Sequence, residues 1–494
     1  MGIIKRQGFY YSLISYTGVA IGTVNTLFLY IRIFQSSQIG EWNNIQSLGL
    51  IFTQLAQIGL PSIIAKFFPR FRTQDKKHQG LLVWVLIIGG LSFLTVSGLF
   101  LIFKNSLLHY YTRSPYFKNI IYLIIPYSFF LLSNAIFDVL SRVIYKGLLF
   151  SFMNEVVVRL GTSIAIILYY FKFIDFYQFL LIFIGLTGSI TIALAIQLKL
   201  SGEFTPAFRP EFFKTQSASL LQYGFYTFLG GSTFLLVQKL DTVILTHYKG
   251  DSVQGVYSIF LYIIAVIRIP SIAIARVSYQ LVSDFWQNQD LSKIEEIYKK
   301  TSLVQMILGT FLFLGIALNR DFLVFVLKKP AYQDSFSIFY ILCMAVLIDT
   351  TTGLNTYILA ISNKFRISTG ILLVSVAICW LSNNLLIPNL GAMGAALSLL
   401  ITYAFMNFCN TLYLHIRFDL QPFSWSHLKV FGIAIFTYVL IYYLPVFSNH
   451  FYNLALHSLS VCLIFGMLII FLNVSQDINE QVIKFAKRFN FLSK

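Results

Sequence analysis

The chain has 494 residues, of which 57% are hydrophobic and only 11% charged, and it carries a formal net charge of +17. Mean hydropathy is +0.75. Soluble domains carry about a quarter of their residues as charges, so this balance excludes a water-soluble globular protein.

Apolar stretches of about 20 residues, long enough to cross a bilayer, recur from end to end between short polar segments. In chain order they fall at 12–34, 42–64, 82–103, 120–140, 152–171, 177–198, 217–240, 252–275, 301–319, 336–360, 367–387, 391–415, 430–447 and 451–473. The expectation is an all-α membrane protein with about fourteen transmembrane helices. The start, "MGIIKRQGFYYSLISY", is basic, but the apolar run after it has full spanning length and no small-residue cleavage site. It reads as a first helix and not as a removed signal. After the ninth span, "NRDFLVFVLKKPAYQDS" either extends the helix or lies along the interface.

Orientation follows from where Lys and Arg collect. With a cytoplasmic N-terminus, the inside segments hold Lys5 and Arg6, the cluster from Lys66 to Lys77, and the C-terminal Lys484, Lys487, Arg488 and Lys494. The opposite side is much poorer in both residues. Both termini are therefore expected in the cytoplasm, and basic loops facing anionic lipid account for the net charge without a nucleic-acid partner.

Cys343, Cys379, Cys409 and Cys462 all fall within spans and show no paired or metal-ligand spacing, which suits packing. The patterns HExxH, GxxxxGK[ST] and GxSxG do not occur. Nothing here supports an ATPase, protease or metalloenzyme, and no cofactor is expected. Loops shorter than about 30 residues leave little room for a catalytic domain, so a membrane glycosyltransferase or acyltransferase is a distant alternative.

One internal repeat stands out. "QGFYYSLISY", with Gly8, matches "YGFYTFLGGS", with Gly224, and "QIGEWN", with Gly40, matches "VQGVYS", with Gly255, at nearly constant offset. The first and seventh spans then correspond, as parallel halves related by an axis along the membrane normal, an arrangement that encloses a central site. The expected division is an N-terminal lobe of six helices (1–216), a second lobe of six (217–416), and a segment with the last two helices and a cytoplasmic tail (417–494).

The order "QGFYYSLISYTGVAIG", "SSQIGEWNNIQSLGLIFTQLAQIGLPSIIAKFFPRFR", "VQKLDTVILTHYKGDSVQGVYS", "KKPAYQDS" and "IPNLGAMGAALSLLITY" resembles the polysaccharide biosynthesis (O-antigen-type) flippases. These belong to the superfamily that also holds multidrug extruders and the lipid II flippase. The resemblance covers nearly the whole chain. It implies a two-lobed, fourteen-helix transporter of the bacterial inner membrane and not an enzyme. Such a transporter turns an undecaprenyl-diphosphate-linked oligosaccharide from the cytoplasmic to the periplasmic leaflet by alternating access, driven by a proton or sodium gradient or by membrane potential. Membrane lipids and a repeat-unit polymerase are the implied partners. A cation-coupled multidrug extruder and a lipid II flippase of the same fold are the alternatives.

Intramembrane charges are the candidate site residues, since each costs on the order of 2.5–3.5 kcal/mol at the bilayer centre. Glu155 and Arg159 are four apart in the favourable Glu-first order. They form either a structural pair or a cavity face on which Arg159 meets a ligand. Arg159, Arg142 at the end of the fourth span and Arg268 just before Pro270 are expected in the cytoplasmic half. There three planar guanidinium groups suit a diphosphate headgroup. Asp349 near the middle of the tenth span, Glu155, and Asp241 beside Lys239 are the ion-coupling candidates. Against this, Asp349 has the Thr350 to Thr352 run to bond, Arg142 suits a positive-inside anchor, and Asp241 suits a solvated helix end.

The orientation is checked by cysteine labelling of "KFFPRFRTQDKKHQG" in intact cells. A periplasmic reagent is expected to leave that loop unlabelled, and efficient labelling refutes the topology.

Overall fold

The computed structural model describes residues 2–203, 205–208 and 210–480. Among these, twelve helices are long and apolar enough to cross a membrane, and two bent pairs raise the count to 14. The chain is a multi-pass membrane protein. It divides into two compact units, Met1–Ser258 and Ile259–Lys494.

The first unit contains α1 (Leu13–Ile33), α2 (Ser36–Gln57), α3 (Leu60–Phe71), α4 (Leu81–Tyr110), α5 (Phe117–Val143), α6 (Leu148–Tyr170), α7 (Phe176–Ser201) and α8 (Leu220–Lys249), with the first two turns of α9 (Asp251–Gln287). The second holds the remainder of α9, α10 (Leu291–Ala317), α11 (Phe336–Thr351), α12 (Asn355–Ile361), α13 (Phe365–Leu390), α14 (Ala392–Phe418), α15 (Trp425–Tyr442) and α16 (His450–Phe471). The unit boundary inside α9 differs from the repeat boundary at 216/217, because α8 and the start of α9 pack on α2. The last two helices join the second unit's core, where Val430, Ile433, Val461 and Phe465 cluster with Ile307 and Leu314 of α10. The tail from 481 to 494, expected in the cytoplasm, lies outside the described residues.

Two spans expected as single helices are broken. α2 ends where Ile58 and Gly59 both turn left-handed, at φ 44° and 72°, and α3 leaves at 42° with Pro61 in its first turn. A Cβ at Gly59 would collide with the Gly224 carbonyl, so only glycine permits this turn so close to α8. Beyond the break α3 buries Ile63, Ile64, Phe67, Phe68 and Phe71. The second break separates α11 from α12 through Thr352, Gly353 (φ 67°) and Leu354, with a bend of 45°. The ninth span begins earlier than expected, at Leu291, and stops at Ala317. The segment after it is a separate short helix, Arg320–Leu327, so it does not extend α10.

The repeat glycines meet. A Cβ at Gly40 would strike the Asp251 carbonyl, and one at Gly255 would strike the Ser36 carbonyl, each partner lying four residues before the other glycine. Asn43 donates to Ser258 Oγ, and these two positions are 215 apart, as are Gly40 and Gly255. Reciprocal contacts of this kind are what a two-fold relation produces. Helices in lipid gain from close main-chain approach at small residues, which explains glycine on both sides. Asn44 fills in beside the crossing, donating to Asp251 Oδ1 at 2.8 Å and accepting from Thr246 Oγ1 at 2.9 Å. Gly255→Val must push α2 and α9 apart. A loss on the order of 1–3 kcal/mol of stability, read from thermal unfolding in detergent, is expected.

Candidate functional site

In the first unit, α1 and α6 build a polar seam across two interruptions of regular helix. Asn25–Tyr30 in α1 and Met153–Val157 in α6 are π-helical, a widening that leaves main-chain carbonyls off their usual partners and recurs at functional sites. Asn25, fully buried, takes up the slack: its Nδ2 donates to the Arg159 carbonyl at 2.9 Å and its Oδ1 accepts from Ser163 Oγ at 2.6 Å. Within the α6 turn, Glu155 Oε2 and Arg159 Nη2 stand 2.6 Å apart. Arg159 Nη1 also donates to the Gly18 carbonyl at 2.5 Å. A Cβ at Gly18 would lie 2.8 Å from that of Glu155, and one at Gly22 would collide with the Arg159 guanidinium. The glycines of "YTGVAIG" therefore let α1 seat on the pair. Both side chains keep about a third to a quarter of their surface open, 34% for Arg159 and 26% for Glu155.

Arg142 does not join Arg159. It closes α5 and pairs with Asp138 Oδ2 at 2.9 Å, with 58% of its side chain exposed. Asp241 departs from the expected solvated helix end. It is 2% exposed, accepting from Tyr257 Oη at 2.5 Å and from the Thr242 amide at 2.7 Å. The reason is tertiary: α8 packs on α2, and Tyr257 at the start of α9 reaches the carboxylate, so it faces protein.

In the second unit the structure joins two residues that the sequence left in separate roles. Arg268 Nη2 on α9 lies 3.1 Å from Asp349 Oδ2 on α11. Arg268 Nη1 donates to Tyr403 Oη at 3.2 Å. The other Asp349 oxygen accepts from Asn407 Nδ2 at 3.2 Å. Asn407 has one way to point, because its Oδ1 accepts from Thr352 Oγ1 at 2.6 Å and from Asn355 Nδ2 at 2.9 Å, leaving the amide NH₂ for the carboxylate. Thr352 and Asn355 flank the α11/α12 break, so the break itself supplies these polar partners. The threonine run bonds main-chain carbonyls and Asn407, not the Asp349 carboxylate.

Arg268 and Asp349 are 29% and 23% exposed. Two largely apolar cavities share Ile348, Thr352 and Phe423; neither is lined by Arg268 or Asp349, and Asn407, which bonds Asp349, reaches one of them. One, of about 650 Å³, reaches Asn407, Phe408 and Thr411, and the other, of about 600 Å³, runs past Met344, Phe431 and Tyr438. Each expected guanidinium thus has its own carboxylate: Arg159 has Glu155, Arg142 has Asp138, Arg268 has Asp349. Sequence reasoning missed Asn25, Tyr403 and Asn407. The two asparagines sit in otherwise apolar spans, where a polar side chain is costly enough to be a signal in itself.

Comparison with solved structures identifies the architecture. The lipid II flippase MurJ in an inward closed conformation superposes with a TM-score of 0.73 at 12% identity, covering 93% of this chain and 98% of that one. The chain has the MurJ fold. An inward-facing multidrug resistance MATE family transporter of the MOP superfamily gives 0.61 at 13% identity, over 83% of this chain and 94% of the other. Among curated proteins, an uncharacterized membrane protein of Methanocaldococcus jannaschii, MJ1068, is 22% identical over 273 residues. The chain spans about half the length of that relative, 54%. No family model matches.

The seam in the first unit makes a stability prediction. Glu155→Gln or Arg159→Gln alone strands one charge at membrane depth, whereas the double substitution removes both. Each single variant is expected to lose on the order of 1 kcal/mol, discounted for partial exposure, and the double to recover part of it. Additive losses in thermal unfolding would show that the two charges do not depend on each other.

Proposed function

We propose that this chain is a flippase moving an undecaprenyl-diphosphate-linked oligosaccharide from the cytoplasmic to the periplasmic leaflet of a bacterial inner membrane by alternating access. The observation carrying this reading is the Arg268–Asp349 pair at a helix break whose Thr352 lines two apolar cavities. A polyprenyl diphosphate needs that combination, cationic donors for its head and an apolar slot for its tail. A guanidinium can grip diphosphate oxygens with two parallel N–H donors.

The pair also offers a means of coupling. Arg268 cannot give the same donors fully to Asp349 and to phosphate. When a proton or sodium ion neutralises Asp349, Arg268 is released to the headgroup, and when the cation leaves, the carboxylate reclaims it. Such competition makes cation binding and substrate binding favour each other. Arg159 and Arg142 of the first unit are proposed as further diphosphate contacts, and Glu155 and Asp241 as further coupling groups. Of these Asp241, already bonded by Tyr257 and Thr242, has the weaker claim. In this reading the lobes 1–216 and 217–416 rock about the bound substrate, and a repeat-unit polymerase receives the product.

A lipid II flippase is the second reading, favoured by coverage of 98% of the MurJ chain. Complementation separates the two: restoration of surface polysaccharide in an O-antigen flippase-deficient strain supports the first, and rescue of a strain lacking its lipid II flippase supports the second. Within the first, Asp349→Asn is expected to lower transport about 10–100-fold, the range of typical coupling energies, and, since it leaves Arg268 without its carboxylate, to cost on the order of 1 kcal/mol in thermal unfolding while the chain still folds and inserts. Unchanged flipping in that variant removes Asp349 from the mechanism.

A further inference from the structure

The α11/α12 break is held from its far side by residues with no role in the site just described. Ser302 on α10, fully buried, donates through its hydroxyl to the Thr351 carbonyl, two residues beyond Asp349. The same hydroxyl meets His427 Nε2 of α15 at 3.0 Å. Gly353, the left-handed residue of the break, rests on Ser302: a Cβ there would lie 3.1 Å from the Ser302 Cα and Cβ.

The tautomer of His427 follows from its other neighbour. The Ser424 amide, which can only donate, reaches Nδ1 at 3.1 Å and completes the capping box that starts α15. Nδ1 is therefore the acceptor, Nε2 carries the hydrogen and donates to Ser302 Oγ, and Ser302 passes its own hydrogen to Thr351. Every donor in this line points towards the break. Phe423 packs edge-on against the imidazole, ring centroids 5.7 Å apart, and lines both cavities.

We propose that His427, acting through Ser302, is a positioning residue: it fixes the α11/α12 break that presents Asp349 to Arg268 and to Asn407, and it links that break to the cavity wall at Phe423. The far clamp and the near one have matching anatomy. Ser302 holds the carbonyl of Thr351, and Asn407 holds the side chains of Thr352 and Asn355. With both in place the turn has one register, and the carboxylate one direction. A polyprenyl tail lying in either cavity touches Phe423, so occupancy bears on the same clamp. This inference rests on Asp349 carrying the coupling cation.

The test uses the full chain in nanodiscs with two readouts. Hydrogen–deuterium exchange of a peptide spanning 350–356 reads the clamp directly, without any substrate. In His427→Ala, exchange is expected to rise about fivefold, as the loss of one net hydrogen bond implies. The cation concentration for half-maximal transport should rise by a similar factor, with the maximal rate within about twofold. His427→Gln, whose amide NH₂ can still donate to Ser302, should restore both. Ser302→Ala, which keeps the α15 cap, should reproduce the His427→Ala result if that variant folds poorly. Unchanged exchange in the folded variants overturns the proposal, and so does faster exchange with an unaltered cation requirement. A wild-type chain that flips substrate with no cation requirement overturns the role given to Asp349 instead, and the exchange readout then still decides whether His427 holds the break.

Discussion

Hydrocarbon offers no water to a main-chain carbonyl or amide, so wherever a membrane helix departs from regular geometry the protein must supply the missing partners itself. Much of this chain's polar chemistry is arranged around that requirement. At the α11/α12 break, Ser302 takes the Thr351 carbonyl while Asn407 takes Thr352 and Asn355. At the π-helical turns of α1 and α6, Asn25 and Ser163 take the Arg159 carbonyl. Both of these interruptions draw in asparagine or serine, and each has a charged pair beside it. Once a helix has been opened and its polar groups paired, a carboxylate or guanidinium adds less to the cost, because donors and acceptors are already in place.

The two principal pairs answer different physical demands. Glu155 and Arg159 share one helical turn, and α1 packs on them through Gly18 and Gly22, so the pair also serves as a docking surface. Arg268 and Asp349 come from different helices and are shared with Tyr403 and Asn407. A partly buried pair of this second kind is weak evidence for stability, since its attraction barely repays desolvation. Its members, each with a second partner at hand, are well suited to exchange of partners. The glycine crossing of α2 and α9 adds a third device, close approach without side chains, where Gly40 and Gly255 let two carbonyls approach the opposing helix.

The sequence by itself determined what depends on short distances along the chain. Bilayer thickness sets the length of an apolar run, so a helix overlaps each of the fourteen expected spans, though the ninth begins early and two are bent pairs. The Glu155–Arg159 pair was legible because i,i+4 neighbours face each other on any helix, and Gly40 and Gly255 were legible as a repeat, though not as a contact. The tertiary structure decided what depends on which helices become neighbours. Nothing local distinguishes Asp349 bonding the threonines after it from Asp349 meeting an arginine 81 residues away. Asp241 looked like a solvated end because covering by α2 is invisible in its own helix. The role of His427 depends on Ser302, 125 residues away, lying against it. Pairing across helices turns on packing directions set by the whole chain, and a single sequence read window by window does not contain them.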